Sequence, residues 1–279
     1  MLIVPSKNKF NANPAAQMPT IAVRNESRIS DATLSTVLNA IQYQITNHFA
    51  PAWGYGAQIV QLSADQSIPA GAWPLYFRND SSDFIGALGV HPPVDSTNVP
   101  YGIVYYDRCI ANGNSYTVTL SHEILEMLGN PWARCYSMVP FDDGSAWFII
   151  QENCDACEPD SAGYTTQGVL VSDFLYPAWF DPYTYGNSSV RRDYTNSIHE
   201  FGDILSGGYH SYYQCPEANL NQSVFNLSWF FRSTGSAATE GYNLLPLELK
   251  DKIAPLWNTA YETYGAISDR NRLIFPYNE

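Results

Sequence analysis

Charge is what this chain has least of. Only 15% of its 279 residues are Asp, Glu, Lys or Arg, against about 25% in an average soluble protein. Basic residues are the scarcest: 14 Lys and Arg face 27 Asp and Glu, a net charge of −13. A field of that sign repels a phosphate backbone and argues against nucleic acid as a partner. Long apolar runs are missing as well. No stretch reaches 18 apolar residues, so no membrane-spanning helix is expected. Met1 to Lys7 lack a basic segment followed by an apolar one, so no secretory signal is expected, and of the compartments left open a cytoplasmic one is favoured. The cysteines, Cys109, Cys135, Cys154, Cys157 and Cys215, are odd in number and sparse for this length. That is not a disulfide framework.

What is present is apolar and aromatic mass. Hydrophobic residues make up 45% and aromatics 14%, with 20 Tyr. A chain of this size can bury roughly three quarters of its unfolded surface, and this composition excludes global disorder. Residues 1–20 are polar and aperiodic and read as an N-terminal arm. Ser30 is a natural N-cap for a helix carrying Leu34, Val37, Leu38, Ile41, Ile45 and Phe49 at helical spacing. Pro51 is expected to end it. Strands are expected over 58–62, 73–77 and 102–106, and a loop over 86–100. A second helix runs from Tyr116 to Leu128 and stops at Gly129-Asn130-Pro131. Residues 132–245 read as loop-rich with short strands. A last helix is expected over 247–264, bent or split at Pro255. The domain reading is an arm over 1–20, a domain over 21–215 and a C-terminal extension over 216–279.

The chemistry concentrates in Ser121-His122-Glu123-Ile124-Leu125-Glu126. On a helix, His122 and Glu126 stand at i and i+4 and project from one face. This is the pattern of the His-Glu-x-x-His zinc helix with Glu in place of the second His. In that logic His122 and Glu126 hold a metal, and Glu123 exchanges a proton with metal-activated water. A further ligand is sought in Gln151 to Glu158, where Glu152 or Asp155 would serve, with His91 as another nitrogen donor. One nitrogen and several oxygens form a harder set than two His and one Glu, so Zn²⁺ is expected with Mn²⁺ or Ca²⁺ as alternatives. The competing reading is an acidic helix that carries His and Glu without any ion. Cys154-x-x-Cys157 reads as a buried thiol pair or a local disulfide. His199 and His210 read as ordinary loop histidines, and Ser121 has its neighbour His122 in the wrong place to act as its base.

These motifs together resemble an uncharacterised bacterial and phage family with a zincin-like signature. The pattern is a His-Glu-Leu-Leu-Glu-Met-Leu-Val-Asp-Pro helix, then Glu-x-x-Asp-x-Cys-Glu, then Val-Ser-Asp-Phe-x-x-Pro-Ala-Trp-Phe. Its counterparts here are His122 to Pro131, Glu152 to Glu158, and Val171-Ser172-Asp173-Phe174 through Pro177-Ala178-Trp179-Phe180. Phe49 to Gly54, Leu88 to His91 and Gly207-Gly208-Tyr209 match as well, so the likeness covers about residues 21–213. The family's Asp before Pro is Asn130 here. A weaker similarity is to plant exordium-like proteins, which carry a His-Glu-x-x-Glu helix.

The resemblance implies an α+β fold with a zincin-like core: a helix, a small mixed sheet and a metal-type helix, followed by a loop-rich part. Two functions follow from different classes. One is a metal-dependent hydrolase, a metallopeptidase acting on peptides, with Glu123 catalytic and His122, Glu126, Glu152 and Asp155 as the metal-site candidates. The other is a phage virion or assembly protein that keeps the body as a scaffold. Arm and tail lack strong core signals and are expected to be held by partner chains, in a homo-oligomer or with other virion proteins.

Overall fold

The computed structural model describes residues 18–94, 97–133, 135–140 and 145–215, and beyond these only the backbone of a few short strands. Its elements are helices and mixed sheets, an α+β architecture. The chain divides into two compact units. Among the described residues, the first takes those within 18–133 and 157–174, and the second those within 135–156 and from 175 on. The helix expected over 247–264 and nearly all of the arm lie outside the described residues.

The first unit is built on a five-stranded sheet. Its strands are β1 (Thr20–Glu26), β2 (Gln58–Ser63), β3 (Trp73–Arg78), β4 (Gly89–Val90) and β5 (Gly102–Tyr105). Their order is β2-β1-β3-β5-β4, parallel throughout except for the edge strand β4, which runs antiparallel to β5. β1 was not among the expected strands. Its residues Ile21, Ala22 and Val23 are all fully buried, because an internal parallel strand is covered on both faces and loses the alternation that marks a half-exposed one. β4 lies inside the stretch expected to be only a loop.

Helix α1 (Asp31–Gln44) begins where expected, with Ser30 Oγ accepting the Thr33 N–H at 3.1 Å. Leu34, Val37, Leu38 and Ile41 form its buried stripe. Pro51 does not end the helical path. A π-helical turn at Ile45–Phe49 leads into α2 (Ala50–Trp53), and the path stops at Gly54, whose N–H reaches the Ala50 carbonyl at 2.8 Å. Proline is tolerated there because the first turn of a helix asks nothing of its missing N–H.

Short α3 (Tyr106–Ala111) carries Arg108. Its guanidinium donates to the carbonyls of Ser81, Asp83, Phe84 and Ala87 and so shapes the loop that delivers β4. Helix α4 (Tyr116–Gly129) follows, packed on β4 and β5. Every residue from Val118 to Gly129 is buried, as in a helix enclosed on all sides.

Residues 157–174 close over it with the hairpin of β8 (Tyr164–Thr166) and β9 (Val169–Val171). The Ser172 N–H donates to Ser121 Oγ at 2.6 Å, and the Ser172 carbonyl accepts from Gln44 Nε2 at 2.8 Å. One residue therefore ties α1 to α4.

The second unit contains β6 (Cys135–Pro140), β7 (Ala146–Ile150), β10 (Asp203–Ile204), β11 (Tyr209–Cys215), β12 (Ala218–Asn219), β13 (Val224–Phe225), β14 (Trp229–Thr234), β15 (Tyr242–Asn243) and β16 (Leu273–Ile274). Five of them form an antiparallel sheet in the order β14-β11-β7-β6-β16. The long connection between β7 and β11 is organised around the fully buried Arg192. Its guanidinium meets the Glu200 carboxylate at 2.8 Å and the Thr184 carbonyl at 2.6 Å.

Candidate metal centre on helix α4

The i and i+4 spacing on α4 brings His122 and Glu126 together. His122 Nε2 and Glu126 Oε1 stand 3.2 Å apart, with side chains only 7% and 6% exposed. Two donors bound at about 2.1 Å to one tetrahedral ion stand about 3.4 Å apart. The pair therefore fits a shared ion as well as it fits a direct hydrogen bond. Leu120, Ile124, Leu125, Met127 and Leu128, all essentially inaccessible, fix the helix that carries them.

Glu123 is buried one position round the helix and faces β4. A Cβ on Gly89 would lie 2.5 Å from Glu123 Oε1 and 2.8 Å from its Cγ. Only glycine lets the strand pass that close. The Arg108-bound loop and the Leu88 carbonyl, which accepts the Tyr105 N–H at 2.8 Å, hold the strand in place.

The other expected ligands come from other segments of the chain. Glu152 and Asp155 belong to the second unit, on the stretch that follows β7. His91 is buried in the first unit, with Nε2 3.2 Å from the Pro131 carbonyl oxygen. Ser121 is structural: its hydroxyl donates to the Val118 carbonyl at 3.1 Å while accepting from Ser172. Cys154 and Cys157 are buried and not joined to each other, so of the two expected alternatives the local disulfide is set aside. Burial pushes the Cys109 thiol above its ordinary range and keeps it protonated.

His210 corrects the sequence reading. It lies in strand β11, fully buried, rather than in a loop. Burial lowers its pKa to about 3, with the Asp155 carboxylate pulling weakly the other way. The imidazole is therefore neutral, with a lone pair to offer. Periodicity could not reveal it, because a lone His among tyrosines carries no spacing signal. His199 does lie in a loop and is exposed.

No helix among the described residues is long and apolar enough to cross a membrane. No protein-family model matches the chain, and neither does any curated protein or any solved structure.

Proposed function

We propose that the chain is a metal-dependent hydrolase of the metallopeptidase type, built on a zincin-like core. The observation that carries this reading is the buried His122–Glu126 pair, two donors 3.2 Å apart on one face of α4. Burying an imidazole and a carboxylate is costly unless both are engaged, and a divalent ion engages both. Two further features support the reading. Glu123, next to the first donor, is held under an edge strand. Helix α4 also follows a mixed sheet in the chain, the order expected of a zincin-like core.

An imidazole nitrogen and a carboxylate oxygen on one face of α4 make a mixed donor set. Zn²⁺ suits such a mixed set, with Mn²⁺ as the alternative. When bound, the ion supplies Lewis-acid polarisation of a substrate carbonyl. Glu123 would take a proton from the attacking water, whose oxygen joins the carbonyl carbon, and return it to the amine that leaves as the C–N bond breaks. Gly89 and the buried wall of α4 keep that carboxylate in one place.

Cleavage of a peptide library by wild type and Glu123→Gln, with and without chelator, tests the proposal. The substitution keeps size and hydrogen bonding, so metal content should stay unchanged while cleavage falls by about 10²–10⁴-fold. Equal, chelator-insensitive background in both proteins would exclude the mechanism.

A further inference from the structure

Within the second unit, polar side chains gather where the sheet ends. Gln151 follows β7, and its N–H continues the ladder to the Cys135 carbonyl at 3.0 Å. β11 pairs with β7 so that Tyr212 faces Ile149. Continued by two residues, that register sets His210 opposite Gln151, on the same face of the sheet. Asn153 and Asp155 follow at alternate positions. The chain returning to β11 lies tightly against them: the Leu205 N–H bonds the Ala156 carbonyl at 2.9 Å, and a Cβ on Gly208 would meet the carbonyl oxygens of Ala156 at 2.6 Å and Asp155 at 2.9 Å.

These groups are deeply buried and under-used. His210 and Asn153 are 0% exposed and Gln151 4%. Neither ring nitrogen of His210, neither amide atom of Asn153 and not the Gln151 carbonyl oxygen has a hydrogen-bond partner among the described residues. Trp179 walls one side of the imidazole, its ring centroid 4.8 Å away, while its own N–H is given to the Asp203 carbonyl. Buried polar atoms nearly always find partners, and five from three neighbouring residues is a concentration that calls for a ligand.

The geometry points to a second, buried divalent-cation site formed by His210, Asp155, Asn153 and Gln151. One imidazole nitrogen, one carboxylate and two amide oxygens make a mixed set suited to Zn²⁺ or Mn²⁺. The site does not rest on the His122–Glu126 reading.

Zn²⁺ binding by the full chain, measured by equilibrium dialysis and elemental analysis, tests it. His210→Phe, which keeps the ring volume, should lose one equivalent of zinc per chain that His122→Ala retains. It should also lose the matching zinc-dependent rise in Tm. Asn153→Asp adds a second carboxylate and should tighten that equivalent at least tenfold. Unchanged zinc in His210→Phe, with Tm at or above wild type, would overturn the site and leave the imidazole as an uncompensated buried group. If His210→Phe does not fold, Asn153→Asp decides, because unchanged or weaker binding overturns the site equally. Loss of zinc from His122→Ala alone would support the α4 centre and refute this one.

Discussion

Gly89 does its work by lacking a side chain. Glu123 is held where a methyl group on the neighbouring strand would overlap its carboxylate and its Cγ, so Gly89→Ala should cost about 1–3 kcal/mol, as overpacking usually does. The cost should nearly vanish in a Glu123→Ala background, where the overlapping atoms are gone, and a double-mutant cycle by chemical denaturation measures that coupling. Additive losses would mean that the strand, rather than the carboxylate, is what the glycine protects. None of this was legible from the sequence, because a close approach between residues 34 positions apart leaves no local trace. His122, Glu123 and Glu126 were legible, since helical spacing alone puts the first and last on one face.

Among the elements, the segments with the strongest helical periodicity are helices in the structure. Ser30 caps α1, and α4 stops at Gly129-Asn130. The misreadings share a cause: tertiary packing overrode local signals. β1 lost its alternation to burial on both faces. Pro51 lost its stopping power to the π-turn before it. That turn also carries His48, whose Nδ1 lies 2.8 Å from the Tyr164 hydroxyl, which in turn accepts from Gln44 Nε2. The hydroxyl thus links the imidazole to the Gln44 amide.

Desolvation holds the His48 pKa below its ordinary value. The unfolded chain takes up that proton near pH 6.5, ahead of the folded one. Stability from this group is therefore complete above about pH 6.5 and is lost as pH falls through the folded value. His48→Gln should flatten the decline of Tm between pH 7 and 5 relative to wild type. Parallel curves would show that the imidazole contributes nothing to acid sensitivity.

For the whole molecule, neither compact unit is a continuous piece of chain. Residues 18–133 hold the complete first sheet and α4, yet the unit is finished only by residues 157–174. That late segment supplies the Ser172 N–H for Ser121, the Leu170 carbonyl for Thr117 Oγ1 at 2.6 Å and the Asp160 carboxylate for the Ser115 N–H at 2.6 Å. A fragment ending at Ala133 should therefore show helical far-UV signal without a cooperative melt, whereas one ending at Phe174 should melt cooperatively. A sharp transition in the shorter fragment would show that the hairpin is an ornament.

This interleaving has a consequence for biosynthesis. The ribosome delivers α4, with its burden of apolar residues, about 40 residues before the segment that covers it. At about 5–20 residues per second the nascent helix waits about 2–8 s without its cover. Over that interval the helix that carries His122 and Glu126 is a ready target for chaperones and for the hydrophobic surfaces of neighbouring nascent chains.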